Sequence, residues 1–171
     1  LCLEHDPVYT LGRTAVMSNV LFSATPQGIR SRLNERPCGA SAAETGTDGG
    51  ASADIVRVER GGEVTYHGPG QLVVYPILHL DRFKRDLHWY VRACEEVAIR
   101  TLAHFGLEGG RVSGLTGVWV GDRKVAAVGI AVSRWVTMHG ISLNVHPDMA
   151  AFDRIIPCGI DDKEVTCLRD L

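Results

Sequence analysis

Lysine is nearly missing from this sequence. Only Lys84, Lys124 and Lys163 occur, so almost all of the 18 basic residues are arginine. Net charge is scarce too: a formal value of -2 presents no basic face to nucleic acid or another polyanion. The longest apolar run, Val125 to Val132, is far too short to cross a bilayer, and no signal peptide stands at the start. The five cysteines, Cys2, Cys38, Cys94, Cys158 and Cys167, are odd in number and form no CxxC pair. That excludes a regular disulfide framework, indicates reduced thiols and leaves a cysteine to act as nucleophile. His139, His146, Cys158 and Cys167 match no zinc-knuckle spacing, so no metal site is expected. Neither a GxxxxGK[ST] phosphate loop nor a GxGxxG turn is present, so ATP and dinucleotide binding lack a motif.

What is present suits one domain spanning residues 1–171: 45% hydrophobic residues in 171, enough for a substantial core. The first residue is not Met, and a strand-like run begins at once, so a piece trimmed at both ends is expected. Leu1 to Gly12 reads as an apolar strand running into a loop, and Asn19 to Ala24 as a short extended piece. Residues 26–53 change character. From Ala40 to Ala53 there is no large apolar residue and no periodicity, which reads as a flexible surface insertion. Asp86 to Phe105 predicts the one long helix, with Leu87, Tyr90, Val91, Cys94, Val97, Ala98, Thr101, Leu102 and Phe105 at three- and four-residue spacing. Asp86 is a fitting N-cap and Gly106 a natural stop. Cys94 on that stripe reads as a packed thiol. Gly117 to Val132 reads as a hairpin, Val136 to Val145 as a strand interrupted at His139-Gly140, and Asp148 to Ile155 as a short helix with Met149, Phe152 and Ile156 inward. Strands clustered around one long helix make an α+β layout with a mixed or antiparallel sheet.

The stretch Arg60-Gly61-Gly62-Glu63-Val64-Thr65-Tyr66-His67-Gly68-Pro69-Gly70-Gln71 lies between two apolar runs, Asp54 to Glu59 and Leu72 to Ile77. It reads either as a long hairpin with a glycine-rich turn or as a backbone cradle for a ligand. Two residues elsewhere have the chemistry to go with a cradle. Cys158 sits in a Pro-Cys-Gly turn off any apolar stripe, where a thiol can face a cleft. Lys124 opens an apolar strand, whereas Lys84 and Lys163 fall in charged runs. An ammonium beside a thiol favours thiolate, and a partly desolvated lysine can act as a base; the alternative is a hairpin-end lysine reaching water. His67 and His139, each before a glycine, could line the same pocket or simply sit in turns.

The glycine stretch, continued through Leu72-Val73-Val74-Tyr75-Pro76-Ile77, resembles the signature of the LipB-type lipoyl (octanoyl) transferases. Further matches follow in the family's order: Glu4 to Gly12, Gly121 to Gly129, His139 to Val145, and Pro157-Cys158-Gly159-Ile160. Together they cover nearly all of the chain outside 26–53. The resemblance implies the fold shared by biotin and lipoate protein ligases, a class II synthetase-like architecture with a central mixed or antiparallel sheet and packed helices. It implies transfer of an octanoyl group from acyl carrier protein to a lysine of a lipoyl domain, in a 2-oxoacid dehydrogenase E2 subunit or the glycine cleavage H protein.

In that family the cysteine matching Cys158 carries an acyl-thioester and the lysine matching Lys124 tunes it. The acyl pocket is lined at positions matching Arg60, Gly61, Gly62, Glu63, Val64, Thr65, Tyr66 and His67, Ala127, Val128 and Gly129, and Gly140, Ile141 and Ser142, with Val128 and Ile141 as apolar walls. No cofactor, ATP or metal is implied, since thioester exchange is nearly isoenergetic. A monomer without nucleic-acid or membrane partners is expected, in a bacterial cytoplasm or a eukaryotic mitochondrion or plastid. Two rivals remain: an ATP-dependent lipoate or biotin protein ligase relative, and a non-catalytic acyl-binding homologue.

Overall fold

The structure, a computed structural model, describes residues 1–22, 29–31, 54–157 and 163–171. Its nine strands in these residues form two sheets. The five-stranded sheet has the order β1 (Cys2–Leu3), β6 (Gln71–Val74), β9 (Val136–Asn144), β8 (Arg123–Ser133), β7 (Val118–Val120), with every pairing antiparallel. The four-stranded sheet has the order β3 (Ile29–Ser31), β4 (Asp54–Arg57), β2 (Val8–Leu11), β5 (Val64–His67). It is mixed: β2 runs parallel to β4 and antiparallel to β5. The α+β class therefore holds, with the mixed and the antiparallel pairings divided between two sheets.

This division corrects the hairpin reading of the glycine stretch. Its middle, Val64–His67, is itself a strand, and β2 lies between it and β4. Val64 and Tyr66 are buried and alternate with the less buried Thr65, the period-2 pattern of a half-buried strand. After His67 the chain crosses to the other sheet as β6. Leu1 to Gly12 is likewise two strands in two sheets rather than one. Of residues 26–53, only Ile29–Ser31 is described, as an edge strand parallel to β4.

The long helix, α1 (Leu87–His104), matches its expected span; Asp86 caps it by accepting from Trp89 N at 3.0 Å. Gly106, at φ +78, makes the turn away from its end. Tyr90, Cys94, Ala98 and Leu102 pack on Val118, Val125, Ala126, Ile141 and Leu143 of the five-stranded sheet. Leu87, Val97 and Phe105, placed on the same stripe by spacing, are exposed instead. Glu95, outside the apolar stripe, is fully buried as well. Its carboxylate is held by Arg92, Arg111 and the backbone N–H of Gly117.

A second core joins Tyr9, Leu11, Ile55, Val64 and Tyr66 of the mixed sheet to Ala151, Phe152 and Ile155. The last three belong to or follow the short helix expected here, which is a 3-10 helix over Met149–Arg154 capped by Asp148. Met17–Asn19 is also a 3-10 turn, and Val20 after it is extended and bridged to Ile155, while residues 23 and 24 of the expected extended piece lie outside the described residues. In the tail, residues 163–171, Val165 bridges Lys124 in parallel and Cys167 is fully buried.

Replacing Leu102, fully buried in the first core, with Ala should cost about 2–5 kcal/mol. Val97→Ala on the opposite, 58% exposed face should cost less than about 0.5 kcal/mol. Chemical denaturation midpoints of the two variants check this assignment of the helix faces.

Candidate active site

The glycine stretch is where the two sheets meet. Gly61 N donates to Ile130 O of β8 at 2.9 Å. Arg60 lies beneath it, only 8% exposed, and donates to Thr10 O at 2.7 Å, to Thr10 Oγ1 at 2.8 Å and to Gly61 O at 3.1 Å. A cation taken out of water needs such oxygens. Its passage explains two glycines. A Cβ at Gly12 would collide with Gly62 O and Arg60, and one at Gly129 would lie 3.1 Å from Arg60 Cδ.

Above Arg60 opens a cleft of about 920 Å³, lined by His5, Asp6, Thr10, Arg13, Glu59, Arg60, His67, Tyr75 and His139, among others. Three imidazoles line it beside apolar and charged side chains. His5 Nε2 and the Tyr75 hydroxyl share a hydrogen bond of 3.0 Å, and the His5 and His67 rings lie 5.5 Å apart. Tyr75 meets His139 edge-on at 5.8 Å. Burial, followed by the nearby Arg60 and other imidazoles, pushes His67 down to about 4, although its hydrogen bond to the Gln71 side-chain oxygen opposes this. Burial and Arg60 also lower His139, and burial raises Tyr75. His67 is thus a neutral imidazole at neutral pH. His139 holds φ +59 while paired with Ile130 in mid-strand, a conformation that costs a non-glycine residue about 1 kcal/mol or more.

Lys124 stands outside this cleft, near its floor strands. A bulge puts it there. Val118 pairs with Ala126 and Trp119 with Lys124, so β8 carries one extra residue, Val125. The extra residue breaks the alternation and turns Lys124 to the Trp119 side, away from the helix-facing Val118 and Ala126. Its Nζ lies 5.0 Å over the Trp119 ring. Gly117, at φ +124, lets the chain pass against its stem: a Cβ there would meet Lys124 Cε at 2.9 Å. The residue is 6% exposed, and its backbone is clasped by the tail, Lys124 N donating to Glu164 O and Thr166 N to Lys124 O. Beside it, Trp119 Nε1 is buried with no hydrogen-bond partner.

The expected site residues divide as follows. Arg60 and His67 line the cleft. Ala127, Gly129, Gly140 and Ser142 follow one another across β8 and β9 as directly paired positions, Ala127 with Ser142 and Gly129 with Gly140. The side chains of Val128 and Ile141, expected as apolar walls, pack into the helix-side core. Val64 and Tyr66 belong to the second core, and Thr65 pairs with Thr10. Glu63 turns to the opposite side, accepting from Val16 N and Asn19 Nδ2. Cys158 lies outside the described residues, as does Cys38. The flanking Ile156, Pro157 and Lys163–Val165 border a second cavity of about 500 Å³. Of the cysteines described, Cys94 and Cys167 are buried, and burial pushes both thiols up. Among the described residues no group of three or more His, Cys, Asp or Glu side chains is arranged to hold a metal ion.

Sequence reasoning missed His5 and Tyr75 as site residues, although both lie in the stretches that carried the resemblance. His5 and Tyr75 are seventy residues apart in the chain and meet because β1 pairs with β6.

All 171 residues match the model of the lipoyl protein ligase A/B catalytic domain. The chain belongs to that family. Curated proteins named octanoyltransferase are 54% identical over 98% of the chain in a Synechococcus sp. strain and 51% identical over 99% in Nostoc punctiforme. The chain covers 60% and 64% of those two proteins, less than two thirds of their length. A lipoate-protein ligase A solved with ATP aligns over 99% of the chain and 63% of its own, with TM-score 0.60 at 15% identity. A lipoate protein ligase from T. acidophilum with bound lipoic acid aligns over 99% of the chain and 63% of its own, with TM-score 0.58 at 15% identity. These two show the fold, and they place this domain among the lipoate ligases in architecture.

The depressed His67 makes acid sensitivity a property of the cleft. The unfolded chain binds this proton below its ordinary value of 6.5, the folded chain only near 4, so the folded state loses stability as pH falls between the two. The loss attributable to His67 should approach about 3 kcal/mol at pH 4. Denaturation midpoints across that range should fall less steeply for His67→Gln than for the wild type.

Proposed function

We propose that this protein transfers an octanoyl group from octanoyl-acyl carrier protein to a lysine of a lipoyl domain, through a thioester on Cys158. The observation that carries the reading is Lys124: one of three lysines, turned by a bulge away from the helix core, buried, and clasped by the segment that follows Cys158. The names borne by relatives of about half identity support the activity.

In the first half-reaction, the Cys158 thiolate attacks the octanoyl thioester carbonyl and expels the phosphopantetheine thiolate, which leaves as thiol on taking a proton from the Lys124 ammonium, so that Lys124 is a neutral amine for the second. The Lys124 ammonium favours the attacking thiolate. In the second, the neutral amine of the acceptor lysine attacks the Cys158 thioester, forms the amide and releases the thiolate. The amine proton departs through Lys124. The buried Trp119 N–H beside Lys124 is a candidate donor to the oxyanion. Arg60 holds the backbone of Gly61 and Gly62 in place, and the acyl chain lies along that backbone. No cofactor takes part. The acceptors are lipoyl domains of the E2 or H-protein kind, and the protein works as a monomer in the cytoplasm of a bacterium. No helix of the described residues is long and apolar enough to cross a membrane.

A second reading, an ATP-dependent ligase, draws on the shared fold with a ligase solved with ATP. The two separate in one assay of the full-length protein. Incubated with octanoyl-acyl carrier protein and no ATP, it should gain one octanoyl mass at Cys158 and pass it to a lipoyl domain. Cys158→Ser should gain none, and Lys124→Met should transfer at least about 100-fold more slowly. Acylation of the lipoyl domain only with free octanoate and ATP would instead establish the ligase reading.

A further inference from the structure

Behind His67 runs a buried chain of amides that the transfer chemistry does not use. Gln71 and Asn144, 2% and 5% exposed, pair across β6 and β9. Gln71 Nε2 donates to Tyr66 O at 3.1 Å and to Asn144 Oδ1 at 2.9 Å. Asn144 Nδ2 donates to Thr166 O at 2.9 Å. Both ends of this chain are backbone carbonyls, which only accept, so each amide has a single orientation that satisfies it. Gln71 must then present its oxygen, Oε1, to His67 Nδ1 at 3.1 Å. An oxygen there requires the proton on Nδ1. The other ring nitrogen, Nε2, is left bare on the edge that meets the cleft, and it can only accept a hydrogen bond.

We propose that Gln71 and Asn144 are positioning residues that lock His67 as a hydrogen-bond acceptor for an amide N–H of the acyl donor's phosphopantetheine arm. This rests on the octanoyl-transfer reading. The ligand class follows from the cleft. Its volume of about 920 Å³ suits an extended arm of that size. Its lining sets His5, Tyr75 and His139 beside the charged Asp6, Arg13, Glu59 and Arg60, hydrogen-bonding groups that suit a polar arm of secondary amides. An acceptor lysine is a poor fit for His67, because a base pressed down to about 4 by burial, Arg60, His5 and His139 cannot take a proton from an ammonium near 10.4. A group that accepts without titrating is suited to orientation. The same amide chain continues through Thr166, whose N–H donates to Lys124 O, so one hydrogen-bonded path ties the arm's contact to the strand that carries the ammonium.

The test uses the full-length protein. Long-range 15N–1H spectra of His67 should show the proton on Nδ1 and a bare Nε2 in the wild type, and a shift towards Nε2–H in Gln71→Met. Adding a non-transferable octyl thioether of phosphopantetheine should move the Nε2 resonance, a measurement that needs no variant to fold. In steady state, Gln71→Met should raise KM for octanoyl-phosphopantetheine about tenfold, the worth of one hydrogen bond, with kcat within about twofold. With a donor whose amides are replaced by esters, wild type and variant should agree. An Nε2–H tautomer in the wild type, an unmoved Nε2 resonance, or equal loss with the ester donor would overturn the proposal. A wild type that transfers octanoyl from neither donor would sink the transferase reading itself, while the tautomer remains measurable.

Discussion

Everything around the cleft depends on the burial of one guanidinium. Arg60 is removed from water and bonded to the backbone and hydroxyl of Thr10 and to its own neighbour's carbonyl. A buried cation is costly unless each donor finds an oxygen. That requirement draws the end of the mixed sheet and the glycine stretch together and lays both against β8. Gly12 and Gly129 are small because the guanidinium and the strand it pins pass directly over them. The cleft is the space left above this junction, and the same positive charge helps hold His67 and His139 below the ordinary histidine value.

The second constraint is local and lies on the other side of the five-stranded sheet's register. One extra residue in β8 turns Lys124 from the helix side to the Trp119 side. A regular strand would have sent an ammonium towards Val118, Ala126 and the α1 core. The fold accepts the bulge, an all-but-obligatory glycine at 117 and an unpartnered indole N–H in exchange for an ammonium in a dry position. Those departures from a regular sheet gather around the residue with the most chemistry.

The two halves of the site, histidine-lined cleft and lysine, are joined by hydrogen bonds rather than by open space. His67, Gln71, Asn144, Thr166 and Lys124 form a continuous path through β5, β6, β9, the tail and β8. Each amide in it is satisfied at both ends, and such closed networks rigidify the groups they hold. A polar path through a sheet is unusual unless the position of its end groups matters.

Much of this was legible in the order of residues. The α1 span, its Asp86 cap and Gly106 stop, the Gly117 to Val132 hairpin and the oddity of Lys124 all follow from short-range periodicity and chemistry, which the chain carries locally. The family followed from long motifs in a fixed order. What tertiary structure decided is which strand neighbours which. Val64–His67 between two turns looks like a loop, because its partner β2 lies some fifty residues away and its pairing energy is nowhere in its own composition. Leu87, Val97 and Phe105 share a helical spacing with Leu102, but only the width of the facing sheet determines how much of the stripe is covered. The same holds for His5 beside Tyr75 and for the bulge at Val125. Local sequence states what each segment can be; contacts between distant segments, which lower the free energy only when both partners are in place, settle what it becomes.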